Sequence, residues 1–152
     1  MNNPREVIFE ALAAQIATAT INGTPALVTL SRKFIDWTQC PPADQPAAFL
    51  VHGFEHASQV RATGQTSWRL KAVLFLYCQH SSDSQELPGK ALNNLLDAID
   101  SCLKPAPFDD RQTLGGLVSH TYIDGEIPVS EGTLPDDTTS IAVIPITIET
   151  GV

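Results

Sequence analysis

The sequence predicts an α+β fold, with a central, mostly antiparallel sheet and two main helices packed on one side of it. Three observations predict it. Residues 88–103 (PGKALNNLLDAIDSCL) repeat apolar side chains at helical spacing, while residues 68–79 (WRLKAVLFLYCQ) and 140–148 (SIAVIPITI) alternate as strands do. The segments also run in the order helix, strand, strand, strand, helix, strand, strand, which gives two layers when the helices lie over the sheet.

Each element has its own grounds. Residues 3–20 read as the first helix: Asn3 as cap, Pro4 at the first helical position, Glu6 three residues after the cap. Ile8, Leu12, Ile16 and Ala19 then recur along one face. Asn22-Gly23-Thr24-Pro25 ends it by turn chemistry. Residues 26–36 (ALVTLSRKFID) read as a strand, 40–46 (CPPADQP) as a rigid proline-rich connection, and 47–55 (AAFLVHGFE) as a short apolar strand. The polar stretch 56–67 (HASQVRATGQTS) reads as a long loop or hairpin, and loops of that length in compact domains tend to be functional.

The strand at 68–79 carries Trp68, Leu70, Ala72, Leu74, Leu76 and Cys78 on one face. The other face starts with Arg69 and Lys71 and ends with Val73, Phe75 and Tyr77, so it calls for a cover or a subunit contact. Leu92, Leu95, Leu96, Ile99, Cys102 and Leu103 form the apolar stripe of the second helix, which Pro105 and Pro107 stop. In the last strand Ala142, Ile144, Ile146 and Ile148 share a side, and Pro145 suggests an edge position or a bulge.

The 152 residues fit one domain, 1–152, long enough to bury roughly 70% of its unfolded surface without staples. No repeat or linker divides it. Formal net charge is −8 and the pI is near 4.7, which argues against a sequence-reading nucleic-acid binder, since that needs a basic face. A negative wall would still let enclosed DNA slide past. The apolar runs are too short to span a membrane and the opening residues do not read as a secretory signal, so a soluble protein, cytoplasmic at synthesis, is expected. The three cysteines are Cys40, Cys78 and Cys102; the last two read as small core residues.

Reactive chemistry is sparse. His52-Gly53-Phe54-Glu55-His56 has histidines four apart but not the H-E-x-x-H order of a zinc helix, and reads as strand-end and loop residues in solvent. His80 and His120 lie near Ser81, Ser82, Ser119 and Thr121, with Asp83 and Asp124 available, yet no nucleophile elbow accompanies them. Gly115-Gly116 has no following helix or GK[ST], so it reads as a turn or bulge. No C-x-x-C pair is present, and no metal, cofactor or catalytic residue is expected. Asp124, Glu126, Glu131, Asp136 and Asp137 form an acidic stretch, either a solvated surface or a patch facing a DNA channel or basic partner. Arg61, Arg69 and Lys71 form a small basic group around the 56–67 loop, a candidate contact with an acidic neighbour.

Taken in order, REVIFEALAAQI, LSRKFIDWTQCPPADQPAAFLV, WRLKAVLFLYC, PGKALNNLLDAIDSCL and QTLGGLVSHTYIDGEIPVSEGTLPDDTTSIAVIPITI resemble the phage tail terminator family, also called minor tail or tail completion proteins. The resemblance spans residues 5–148. It rests most on Trp37, Pro41-Pro42 and Gln45-Pro46-Ala47, on Leu92-Asn93 with Leu96-Asp97-Ala98-Ile99, and on Gln112 to Gly116. It implies a tail-terminator-like α+β subunit and a six-fold homo-oligomeric ring. Such a ring caps the tail tube, stops its polymerisation and offers a surface to the head–tail connector protein. Genome DNA would pass through it without specific binding, and the protein would reside in the virion tail after assembly in the host cytoplasm. On this reading the chain is not an enzyme, and Arg61, Arg69 and Lys71 are the candidate contacts with the tail tube protein. A neck or head-completion role is the alternative, and a small hydrolase built on His80 or His120 the remaining one.

Overall fold

A computed structural model of the chain describes residues 3–59, 66–80, 87–132 and 138–150. Its first element is α1 (Arg5–Ile16). Pro4, in extended conformation, takes the cap position, and the Asn3 side chain donates instead to the carbonyl of Leu117. The helix stops at Ile16, four residues before the expected end. Asn22 and Gly23, both at positive φ, then make the tight turn of a small hairpin, β1 (Thr20–Ile21) with β2 (Thr24–Pro25).

The strand expected over 26–36 shrinks to β3 (Thr29–Ser31). The Ser31 hydroxyl accepts from the backbone N–H of Lys33, a local bond that turns the chain out of the ladder. Two 3₁₀ turns follow, Trp37–Gln39 and Pro42–Asp44, the first capped by Asp36, whose carboxylate accepts from Thr38 N–H.

Next comes the longest hairpin of the fold, β4 (Ala47–Gln59) and β5 (Thr66–Gln79). Of the polar stretch expected as a loop or hairpin, residues 56–59 and 66–67 are paired strand, with Ser58 opposite Ser67 and Gln59 opposite Thr66. Backbone pairing prevails there over side chains that bury little. Residues 60–65, including Arg61, lie outside the described residues.

α2 (Pro88–Cys102) starts on a proline and lays Leu92, Leu95 and Ile99 on the sheet. The Gln15 side chain donates to the Cys102 carbonyl at 2.6 Å and ties the ends of the two helices together. Leu114, Gly115 and Gly116, all at positive φ, form the turn expected of the double glycine. Then follow β6 (His120–Ile123), β7 (Val129–Ser130) and β8 (Thr139–Thr150).

The main sheet runs β3-β4-β5-β8-β6, with β7 pairing β8 beside β6. Among the described residues, only the β3–β4 pair is parallel. The fold is therefore α+β, as expected, with a mostly antiparallel sheet. β8 lies inside the sheet, which corrects the plain edge reading of Pro145. The proline is tolerated because its partner is interrupted. Its carbonyl accepts from Asp124 N–H at 3.1 Å, so its backbone faces the gap between β6 and β7, where no ladder donor is needed. Gly125, at φ +123°, passes so near that an added Cβ would stand 3.2 Å from Pro145 Cγ.

The core lies between the helices and one sheet face. Ile8, Leu12, Leu74, Leu92, Ile99 and Ile146 are all fully buried there.

Candidate interaction surface

The face of the sheet away from the helices is built in three bands. The first is an aromatic box of Phe49 and Tyr77 with Cys40 and Ala47, covered by the segment that holds the two 3₁₀ turns. Tyr77 Oη donates to the Ile35 carbonyl at 2.7 Å, and burial pushes its phenol up to about 12. Phe34 sets its ring edge against Phe75, centroids 4.9 Å apart, and reaches Phe49 at 6.4 Å. Half of the cover expected over this face is thus supplied by the chain itself.

The second band has no cover among the described residues. Val51, Val73, Val143 and Pro145 lie side by side there, half-buried, with half-exposed Phe34 at one end.

The third band is polar and brings the two charged groups of the sequence together. Lys71 Nζ lies 3.2 Å from Asp124 Oδ2 and also donates to Thr147 Oγ1. Arg69 Nη2 lies 3.0 Å from Glu149 Oε1, which accepts from Tyr122 Oη at 3.1 Å. Burial, then the Glu149 carboxylate, push the Tyr122 phenol up. Two of the basic candidates, Arg69 and Lys71, are therefore engaged by acids of their own chain. The acidic stretch is divided: Asp124 sits in this band, exposed Glu126 follows in the turn, and Glu131 rests against Gly89 in the first turn of α2. Asp136 and Asp137 lie outside the described residues.

A feature that sequence reasoning missed lies at the base of the hairpin. The register shifts between His52 and Glu55, so that Gly53 and Phe54 both stand opposite Lys71. An added Cβ on Gly53 would lie 3.1 Å from the Lys71 carbonyl oxygen, which explains the glycine. The bulge changes the phase of the strand and brings His52 and Glu55, three apart, to the same helix-facing side. His52 Nε2 lies 2.9 Å from Glu55 Oε1, and Arg5 grips the same carboxylate at 2.6 and 2.9 Å. Arg5 also lies over the Trp68 ring, 4.6 Å from its centroid. The hydrogen bond from Arg5 holds the Glu55 carboxyl below the usual range. His52 is thus more than a solvent-facing strand residue; it packs on Phe9 at 4.7 Å and helps bind the start of α1 to the hairpin. His56 is exposed, as expected.

The two histidines of the hydrolase alternative stand at opposite ends of the sheet. His120 lies opposite Glu149, which pairs with Arg69, whereas His80 follows the far end of β5. Eleven residues of strand at ~3.3 Å each separate those ends by roughly 35 Å. His120 Nδ1 accepts from Gln112 N–H, its ring lies against Tyr122, and Thr121 is buried with its hydroxyl donating to Thr147. Asp83 lies outside the described residues. Among the described residues no group of three His, Cys, Asp or Glu side chains is placed to hold a metal. Cys40, Cys78 and Cys102 form no disulfide with one another; burial pushes the Cys102 thiol up to about 11. No helix among the described residues is long and apolar enough to cross a membrane.

No family model matches the chain. No curated protein matches it either. Among solved structures, it is similar to a chain in the structure titled "Virion of native gene transfer agent (GTA) particle". The two are 10% identical, the alignment covers 95% of this chain and 92% of that one, and the TM-score is 0.45.

Proposed function

We propose that the chain is a structural subunit of a phage-type particle and acts as a tail terminator. Copies would close into a ring, six-fold by the family resemblance, that caps the tail tube, ends its growth and offers a surface to the head–tail connector protein. The observation that carries this reading is the uncovered apolar band of the sheet, Val51, Val73, Val143 and Pro145 beside Phe34. Exposed apolar surface of that kind is what a protein-binding face requires. The ordered segments resembling terminators, REVIFEALAAQI through SIAVIPITI, give the reading its specific form.

Function then lies in surfaces. One rim of the ring accepts the tube end, and the other refuses further tube subunits. Ring closure uses two different patches of each copy, repeated about an axis. The net charge of −8 suits a channel that lets DNA pass without gripping it. The hairpin of β4 and β5 continues past Arg69 to the pair Gln59 and Thr66, so it is the element assigned to the tube. In this reading the protein resides in the virion tail and is assembled in the host cytoplasm.

Deleting the gene should give over-long tails, and purified protein added to tubes should cap their ends. Filled heads without tails would favour the neck or head-completion role instead. Replacing both His80 and His120 with Ala should leave capping unchanged; loss of a measurable hydrolysis would revive the enzyme alternative.

A further inference from the structure

Phe108, in the loop between α2 and β6, is fully exposed and has a φ of +73°. It follows Pro107 in the turn Ala106-Pro107-Phe108-Asp109, which is closed by a bond from Asp109 N–H to the Ala106 carbonyl at 3.0 Å. Proline at the second position and positive φ at the third are the marks of a turn whose third position favours glycine. A phenylalanine there strains the backbone and gains no packing inside the subunit. Two exposed carboxylates, Asp109 and Asp110, follow it directly. The loop therefore ends in a raised aromatic knob with an acidic collar.

A surface that matches this knob exists elsewhere on the same chain. The uncovered band runs from Phe34 along Val51 and Val73 beside Phe75, with exposed Phe54 at its foot. Exposed Lys33 adjoins Phe34, and Lys71 stands opposite Phe54 in the bulge. An apolar strip with the exposed Lys33 ammonium at one end suits a Phe-Asp-Asp knob both in polarity and in charge. Within one copy the two do not meet, since Phe108 is fully exposed. The strip lies on β4 and β5, whereas the loop runs past the outer edge of β6, where Gln112 accepts from Thr121 N–H. β8 and β6 therefore lie between the strip and the loop.

We propose that Phe108, with Asp109 and Asp110, seats on the strip of Phe34, Val51, Val73 and Phe75 in a second copy of this chain. The inference rests on the self-assembling reading above and names the contact that closes the ring. Knob and strip are different patches on opposite parts of the subunit, so the contact is head-to-tail and repeats around an axis.

The test uses the full chain and its variants in sedimentation velocity, alone and with purified tail tubes, alongside thermal melts. Phe108→Gly relieves the turn, so its melting temperature should stay level or rise while self-association weakens by roughly tenfold or more. The charge variants Asp109→Lys/Asp110→Lys and Lys33→Glu should each weaken association, and an equimolar mixture of the two should restore it. Wild type that assembles while Phe108→Gly assembles equally well overturns this contact and leaves the ring reading standing. Wild type that stays monomeric at high concentration and ignores tube ends overturns both.

Discussion

The two faces of the sheet are built on different principles. Under the helices, Leu70, Leu74, Leu76, Ala142, Ile144 and Ile146 form a uniform aliphatic layer with almost no solvent exposure. The opposite face changes along its length: an aromatic box under a strap of the chain, an uncovered apolar band, then paired charges. The difference separates two tasks. One face supplies folding energy through close packing of apolar volume. The other, beyond its buried aromatic box, keeps apolar and charged groups half in water, where they add less to stability.

The largest expected effect lies under the helices. Leu74→Ala should lower unfolding free energy by about 2–5 kcal/mol, read by urea denaturation, because it leaves a cavity in a closed core. Val73→Ala, its neighbour facing the other way, should lose well under half as much; equal losses would erase the contrast between the faces. Next comes the strap. Tyr77→Phe removes the bond to the Ile35 carbonyl and should lower stability by about 1 kcal/mol. It should also raise proteolytic cleavage within residues 32–45; unchanged cleavage would mean the strap is held by other contacts.

Smaller effects sit at the hairpin base. Glu55→Gln should destabilise at neutral pH by about 1 kcal/mol or less, since Arg5 is partly exposed. The sign of the pH dependence follows from the lowered carboxyl. Glu55 in the folded chain is held below its unfolded value, so its stabilisation is full above the ordinary carboxylate pKa of about 4.3. It is lost as pH falls through the lower folded value, and the gap between wild type and Glu55→Gln should close there. A gap that widened in acid would contradict the pairing. Smallest of all is the exposed ladder: a double-mutant cycle on Lys71 and Asp124 should return about 0.5 kcal/mol, diminishing with added salt.

Much of the buried face was legible in the sequence, because burial imposes a period. The alternation from Leu70 to Cys78 and from Ala142 to Ile148, and the stripe of α2, appear in the fold as read. What escaped is what backbone hydrogen bonds decide locally. The Ser31 hydroxyl ended β3 early, and cross-strand pairing carried β4 and β5 into a polar stretch with no hydrophobic signal. The bulge at Gly53-Phe54 put His52 and Glu55 on one side, against the phase that strict alternation predicts.

The charged residues were legible as residues but not as partners. Nothing in their spacing shows that Arg69 would meet Glu149, or Lys71 Asp124, since those pairs depend on strand order. Phe34 and Phe108 escaped for a different reason: a single aromatic in a loop has no period. The one available signal was Ala106-Pro107-Phe108-Asp109, a turn sequence with phenylalanine where glycine is expected.

In the proposed function, copies of the chain join one another through their outer surfaces at the end of a tail tube. Negative-stain electron microscopy of the purified protein, alone and mixed with tail tubes, tests it most directly. A closed ring with a hole wide enough for duplex DNA, seated on tube ends, is the result predicted. Single subunits that neither form rings nor decorate tube ends would contradict it.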